Sequence, residues 1–216
     1  DWCTINEPAV FAVAGYVAGL CPPGKKDVLA YFKVLRNLCI AHREAYAEIH
    51  RVRGAAGHRD TMVGVAHHLR VFEGEKGPLD RAMARFFQFS FQDLTLEAMT
   101  LGLMRPPIGT DLGRAGARRV ADFLGINYYS HDIVRFDLRR PAEMFAERRM
   151  DPALDKSDLG WDVYPEGLYR LCRQGWERYG LPINYYPVDI GAVYARTGGI
   201  KLPLRSKERR DYRFLE

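Results

Sequence analysis

Four short strand-like stretches separated by long amphipathic ones constrain this chain more than any other feature. WCTIN (2–6), TMVGVAH (61–67), ADFLGINYY (121–129) and LPINYYPV (181–188) carry the β-branched and aromatic content of strands. The second is a continuous apolar run of the kind found when both faces of a strand are covered. After the first, a Gly- and Pro-rich loop runs through Pro22, Pro23 and Gly24. From Asp27, a plausible N-cap, to Val52 the spacing predicts a helix that keeps Val28, Phe32, Leu35, Leu38, His42 and Ile49 near one face. A second amphipathic helix is predicted over 80–102, and a third after Trp161, with Pro165 in its first turn and Gly180 at its end. Residues 135–158, rich in Arg and Asp, read as a loop excursion. Strands alternating with helices predict right-handed βαβ units and a parallel sheet. Four strands cannot close an eight-stranded barrel, which takes about 250 residues. The pattern fits half a barrel or a small open sheet, as one domain over 1–216.

Charge excludes little but points away from polyanions. The 32 Lys and Arg are interspersed with 27 acids, for a net charge of +5. The densest basic run, RSKERRDYR (205–213), contains two acids and reads as a solvated helix face, so no nucleic-acid partner is expected. No run approaches the roughly 18 apolar residues of a membrane span, and no signal peptide is visible. Cys3, Cys21, Cys39 and Cys172 form no CxxC pair, which predicts reduced, buried thiols and a cytoplasmic setting. Metal chemistry is not expected either. His67 and His68 are adjacent and would point to opposite faces of a strand, and there is no HExxH.

In a parallel α/β protein, functional groups gather at the carboxyl ends of the strands. Here those ends carry Asn6-Glu7 and Asn127-Tyr128-Tyr129, while Trp161 precedes the last helix. Amides grip sugar hydroxyls, an aromatic plate stacks on a pyranose face, and a carboxyl can protonate a glycosidic oxygen. The same residues carry a family resemblance. TINEP (4–8) resembles the TFNEP motif of family-one glycoside hydrolases, the β-glucosidase type of (β/α)8 barrel. The resemblance continues through PPGKKD, AHREAYAEI, VGVAHHLRVFEG, DFLGINYYS and GWDVYPEGLYRLCRQGWERYGLPI, in the family's order. It implies a partial TIM barrel running from about the fourth strand to the seventh, with TINEP opening abruptly because three strands would precede it.

Carried over residue by residue, the resemblance gives Glu7 the role of general acid/base and Asn6 that of holding the sugar 2-hydroxyl. Asn127 and Tyr129 match the family's NxY, whose tyrosine touches the nucleophile. Trp161 matches a tryptophan lining the cleft, and His68 stands where many relatives carry a polar residue. Such enzymes retain anomeric configuration and use no cofactor, so the expected partner is a β-linked glucoside, galactoside or oligosaccharide. The unpaired inner face of a partial barrel would also favour self-association. The chain departs from the family where YGLPI should lead to T-E-N-G and its nucleophilic Glu. In YGLPINYYPVDIG that place falls on Pro187. Asp189 lies two residues further on and could serve as nucleophile only if the strand slipped or bulged. Two readings follow: a β-glycosidase impaired at its nucleophile, or a non-catalytic remnant with weak carbohydrate-binding or structural duty.

Overall fold

The computed structural model describes residues 1–110, 119–157 and 160–185. Its five strands form one sheet. β1 (Trp2–Asn6), β2 (Val63–Gly74), β3 (Phe123–Phe136) and β5 (Ile183–Tyr185) are parallel and lie in sequence order, while β4 (Ala146–Arg149) runs antiparallel along the far end of β3. The register pairs Trp2 with Val63, Gly64 with Phe123 and Leu124 with Ile183, so the carboxyl ends of the parallel strands share one rim. Gly64 has to be glycine. A Cβ there would lie 2.6 Å from the Phe123 carbonyl oxygen and 2.7 Å from its ring.

Helices α1 (Pro8–Tyr16), α2 (Val28–Ala55), α3 (Pro78–Gln88), α4 (Leu94–Thr100) and α5 (Pro165–Tyr179) accompany the strands. Asp27 caps α2 as predicted, its carboxylate accepting the Ala30 amide at 2.9 Å. Pro165 opens α5, and Gly180 closes it in the left-handed conformation, φ 59°. The buried stripe of α2 is Tyr31, Leu35, Cys39 and His42, with Phe32 and Leu38 partly buried at its edge, while Val28 is exposed at the first turn. This stripe packs with Ala12 of α1 and Met99 of α4 against Val65 of β2. Leu124 and Ile126 of β3 pack with Leu168, Leu171 and Cys172 of α5. Each such buried Leu or Ile contributes about 1.5–3 kcal/mol relative to exposure, which is what holds the helices onto the sheet.

The structure corrects the sequence-based reading at several points. Pro8–Tyr16, read as part of a loop, is a helix. The helix expected over 80–102 is two helices joined by a π turn at Phe89–Asp93. β2 and β3 run past the expected ends at 67 and 129, to Gly74 and Phe136. Their extensions bury Phe72 and Val134 under Ala84 and Phe87 of α3, and β4 occupies part of the expected excursion. Cys39 and Cys172 are buried, but Cys3 and Cys21 are exposed. No helix of the described residues is long and apolar enough to cross a membrane.

Candidate active site at the carboxyl rim of the sheet

Glu7 sits between β1 and α1 in a left-handed backbone conformation, φ 50° and ψ 57°. For a residue with a side chain this costs roughly 1–3 kcal/mol, and such outliers cluster at functional sites. Two neighbours enforce it. Pro8 disfavours the helical region for the residue before it, and the Glu7 amide donates 2.8 Å to the Ala66 carbonyl of β2. The backbone therefore turns sharply as it leaves the sheet.

The Glu7 carboxylate meets two donors from β3. The Asn127 side-chain amide donates to Oε1 at 2.7 Å, and the Tyr129 hydroxyl donates to the same oxygen at 2.8 Å. Asn127 and Tyr129 are two apart on one strand and so share a face. Asn127 also donates to Asn6 Oδ1 at 2.9 Å, which joins the two strand ends directly. Trp161, on the loop before α5, packs its ring 5.1 Å from that of Tyr129. Thus Asn6, Glu7, Asn127, Tyr129 and Trp161, drawn from three separate parts of the chain, come together. Burial, and then the bond to Glu7, holds the Tyr129 hydroxyl well above its ordinary pKa, so it remains a donor. Pro187 and Asp189 lie outside the described residues.

His68 joins the same group. Its Nδ1 is 4.0 Å from Glu7 Oε1, and its ring makes edge contacts with Tyr129 at 4.6 Å and Phe91 at 5.6 Å. Burial, helped by the neighbouring Arg70 charge, pushes His68 down to about 3. At neutral pH the ring is therefore uncharged and neighbours Glu7 without forming an ion pair with it. Phe91 was not legible in the sequence, because it reaches His68 from the π turn, which has no sequence signature. Among the described residues no group of three or more His, Cys, Asp or Glu side chains could hold a metal ion.

Buried neutral histidines give the chain an acid-sensitive stability. His67 is pushed down to about 3 by burial and then by His42, and burial also lowers His42. Unfolded, each takes up a proton near the ordinary value of 6.5. Below that pH the unfolded chain binds protons that the folded chain refuses. Stability is therefore full above pH 6.5 and falls as the pH drops toward about 3. The slope is about 1.4 kcal/mol per pH unit for each such histidine. Urea midpoints should fall across this window, and the fall should flatten in His67→Phe. An equal slope in the wild type and this variant would contradict the assignment.

The comparisons with known proteins agree with one another. The model of the family described as "Glycosyl hydrolase family 1" matches residues 1–212. Beta-glucosidase A of Thermotoga maritima is 30% identical over 208 residues, covering 90% of this chain and 44% of the relative. The galactolipid galactosyltransferase of Arabidopsis thaliana is 28% identical, over 83% of this chain and 25% of its own. Among solved structures, the beta-glycosidase from Pyrococcus horikoshii superposes with a TM-score of 0.69 at 30% identity, covering 84% of this chain and 40% of that one. The beta-glucosidase from Thermotoga maritima in complex with noeuromycin gives 0.68 at 27% identity, covering 85% and 42%. The chain thus spans less than half the length of the relatives it matches.

Proposed function

Since the chain belongs to glycosyl hydrolase family 1, we propose that it carries the acid/base and glycone-holding side of a retaining β-glycosidase site for β-D-glucosides or β-D-galactosides. The observation that carries this reading is the strained Glu7, its carboxylate gripped by Asn127 and Tyr129 and flanked by Asn6. In this reading Glu7 protonates the leaving oxygen and later takes a proton from water. Asn6 and Asn127 hold ring hydroxyls. Trp161 stacks on the sugar or its leaving group, and the uncharged His68 accepts or donates a hydrogen bond without adding charge.

A second reading is favoured by a specific feature. Pro187 stands where the resemblance requires the nucleophile. A chain with this cleft and no second carboxylate would bind sugar and not cleave it. Calorimetric titration with deoxynojirimycin tests the shared part of both readings. Binding is expected for the unmodified chain, with a loss of about tenfold or more in Asn6→Ala, because unpaired polar groups are costly in a closed site. Absence of binding at every accessible concentration would leave neither standing.

A further inference from the structure

A side chain on a loop keeps its orientation only if the loop is pinned by something rigid. Trp161 is on such a loop, between β4 and α5, yet it meets Tyr129 in a defined contact. The next residue supplies the pin. Asp162 is buried, with its carboxylate fully shielded from solvent. Its Oδ2 accepts the Asp151 amide at 2.7 Å and lies 3.2 Å from Nδ1 of the buried His131. Its Oδ1 takes the Lys156 ammonium, and its own amide donates to Ser130 Oγ at 3.1 Å. Ser130 and His131 directly follow Tyr129 on β3. The loop closes on itself as well. Trp161 donates its amide to Ser157 Oγ at 3.2 Å, and its carbonyl accepts the Ser157 amide at 2.8 Å.

We propose that Asp162 is a positioning residue, which fixes the Trp161 ring beside Tyr129 by fastening the loop to Ser130 and to its own Asp151 and Lys156, with His131 beside its carboxylate. A carboxylate suits the task because it accepts bonds from several directions at once, and inside the protein each is stronger than at the surface. One short stretch of β3, residues 129–131, thereby sets both the hydroxyl on Glu7 and the aromatic plate over the cleft. What Trp161 does to a sugar rests on the glycosidase reading. Its placement by Asp162 does not.

The test uses the full chain with Trp2→Phe and Trp176→Phe, leaving Trp161 as its one tryptophan, excited selectively at its red edge. Acrylamide quenching and fluorescence anisotropy are compared with and without Asp162→Asn, and separately with Ser130→Ala, which deletes only the hydroxyl that accepts the Asp162 amide. Quenching should rise roughly twofold or more, as expected for a loop released from its anchors. Anisotropy should fall, with an unchanged far-ultraviolet spectrum. If Asp162→Asn does not fold, Ser130→Ala should move both readouts in the same direction by a smaller factor. Quenching and anisotropy unchanged in the folded variants would overturn the proposal, even if melting temperatures fell, since a merely structural anchor predicts that result. Deoxynojirimycin separates the two readings. If the unmodified chain fails to bind it, the glycosidase reading fails, and quenching still decides the role of Asp162.

Discussion

Dinitrophenyl β-D-glucoside should be turned over by this chain at a rate little above background, and added azide or formate should raise that rate sharply. The expectation rests on the proposed reading, in which Glu7 has no partner carboxyl. A retaining mechanism needs two carboxyl groups about 5–5.5 Å apart, one to protonate the leaving oxygen and one to attack carbon and balance the oxocarbenium-like charge. The resemblance puts the second at Pro187, which has no carboxyl. The tyrosine that in the family touches the nucleophile is here Tyr129, and its hydroxyl donates to Glu7. General acid catalysis alone is worth about 10²–10⁴-fold. Groups that act as a unit lose most of their joint effect when one is removed, so a deficit of roughly 10⁴-fold or more against a relative with both carboxylates is expected. The dinitrophenyl leaving group needs no proton, and in this reading a small anion would take the nucleophile's role. Rescue would therefore report an intact cleft. Brisk turnover without the additive, abolished by Asp189→Asn, would instead make Asp189 the nucleophile.

How far the sequence could be read depended on what held each element in place. Strands β2 and β3 were legible because their apolar runs are covered on both faces, as the buried neighbours Val65 and Ala66, and Phe123 and Leu124, show. Helix α1 was not, because it packs through Ala9, Ala12 and Gly15, small residues that trace no amphipathic stripe. Strand β4 reads AERR and has no strand-like apolar pattern. Its place comes from pairing with β3, helped by Arg135 beside Glu147 at 3.0 Å. The boundary at His67 was set too early, since the charges that follow it alternate with Leu69, Val71 and Phe72, all buried. In the site, Glu7, Asn6, Asn127, Tyr129 and Trp161 were singled out through their motifs, and no spacing rule would have joined residues 120 apart. Phe91 belongs to no recognised motif, and Asp162, though inside the matched GWDVYPEG stretch, was given no role there. Their importance appears only once the loop and the π turn are seen in space.

Besides its pairing with β2, the strand that leads into Glu7 is tied to α2, α4 and the approach to β3 through one buried histidine, whose loss should be strongly destabilising. His42 is fully buried on α2. Its Nε2 faces two carbonyl oxygens, Met99 at 2.9 Å and Val120 at 2.8 Å, so this nitrogen must carry the proton. Burial lowers its pKa and keeps the ring neutral, so Nδ1 accepts a hydrogen bond from the Thr4 hydroxyl at 2.6 Å. The ring thereby ties β1 to the end of α4 and the approach to β3, three segments that lie together only in the folded chain. His42→Ala opens a cavity and leaves two carbonyls without their partner, while the Thr4 hydroxyl turns to the Gly64 carbonyl 3.2 Å away. The combined cost should be about 3–5 kcal/mol. Thr4→Val keeps the packing and removes only the hydroxyl, so about 1–2 kcal/mol is expected. Against a typical total of about 5–15 kcal/mol, the first loss leaves a chain close to its unfolding midpoint. Urea denaturation of both variants checks the order, and a His42→Ala midpoint within error of Thr4→Val would refute it. The two variants also separate stability from geometry. Thr4→Val should leave a folded protein in which β1, and with it Glu7, keeps its pairing to β2 and its bonds to Asn127 and Tyr129 but loses its tie to His42. Sugar binding should then weaken more than the modest loss of stability accounts for.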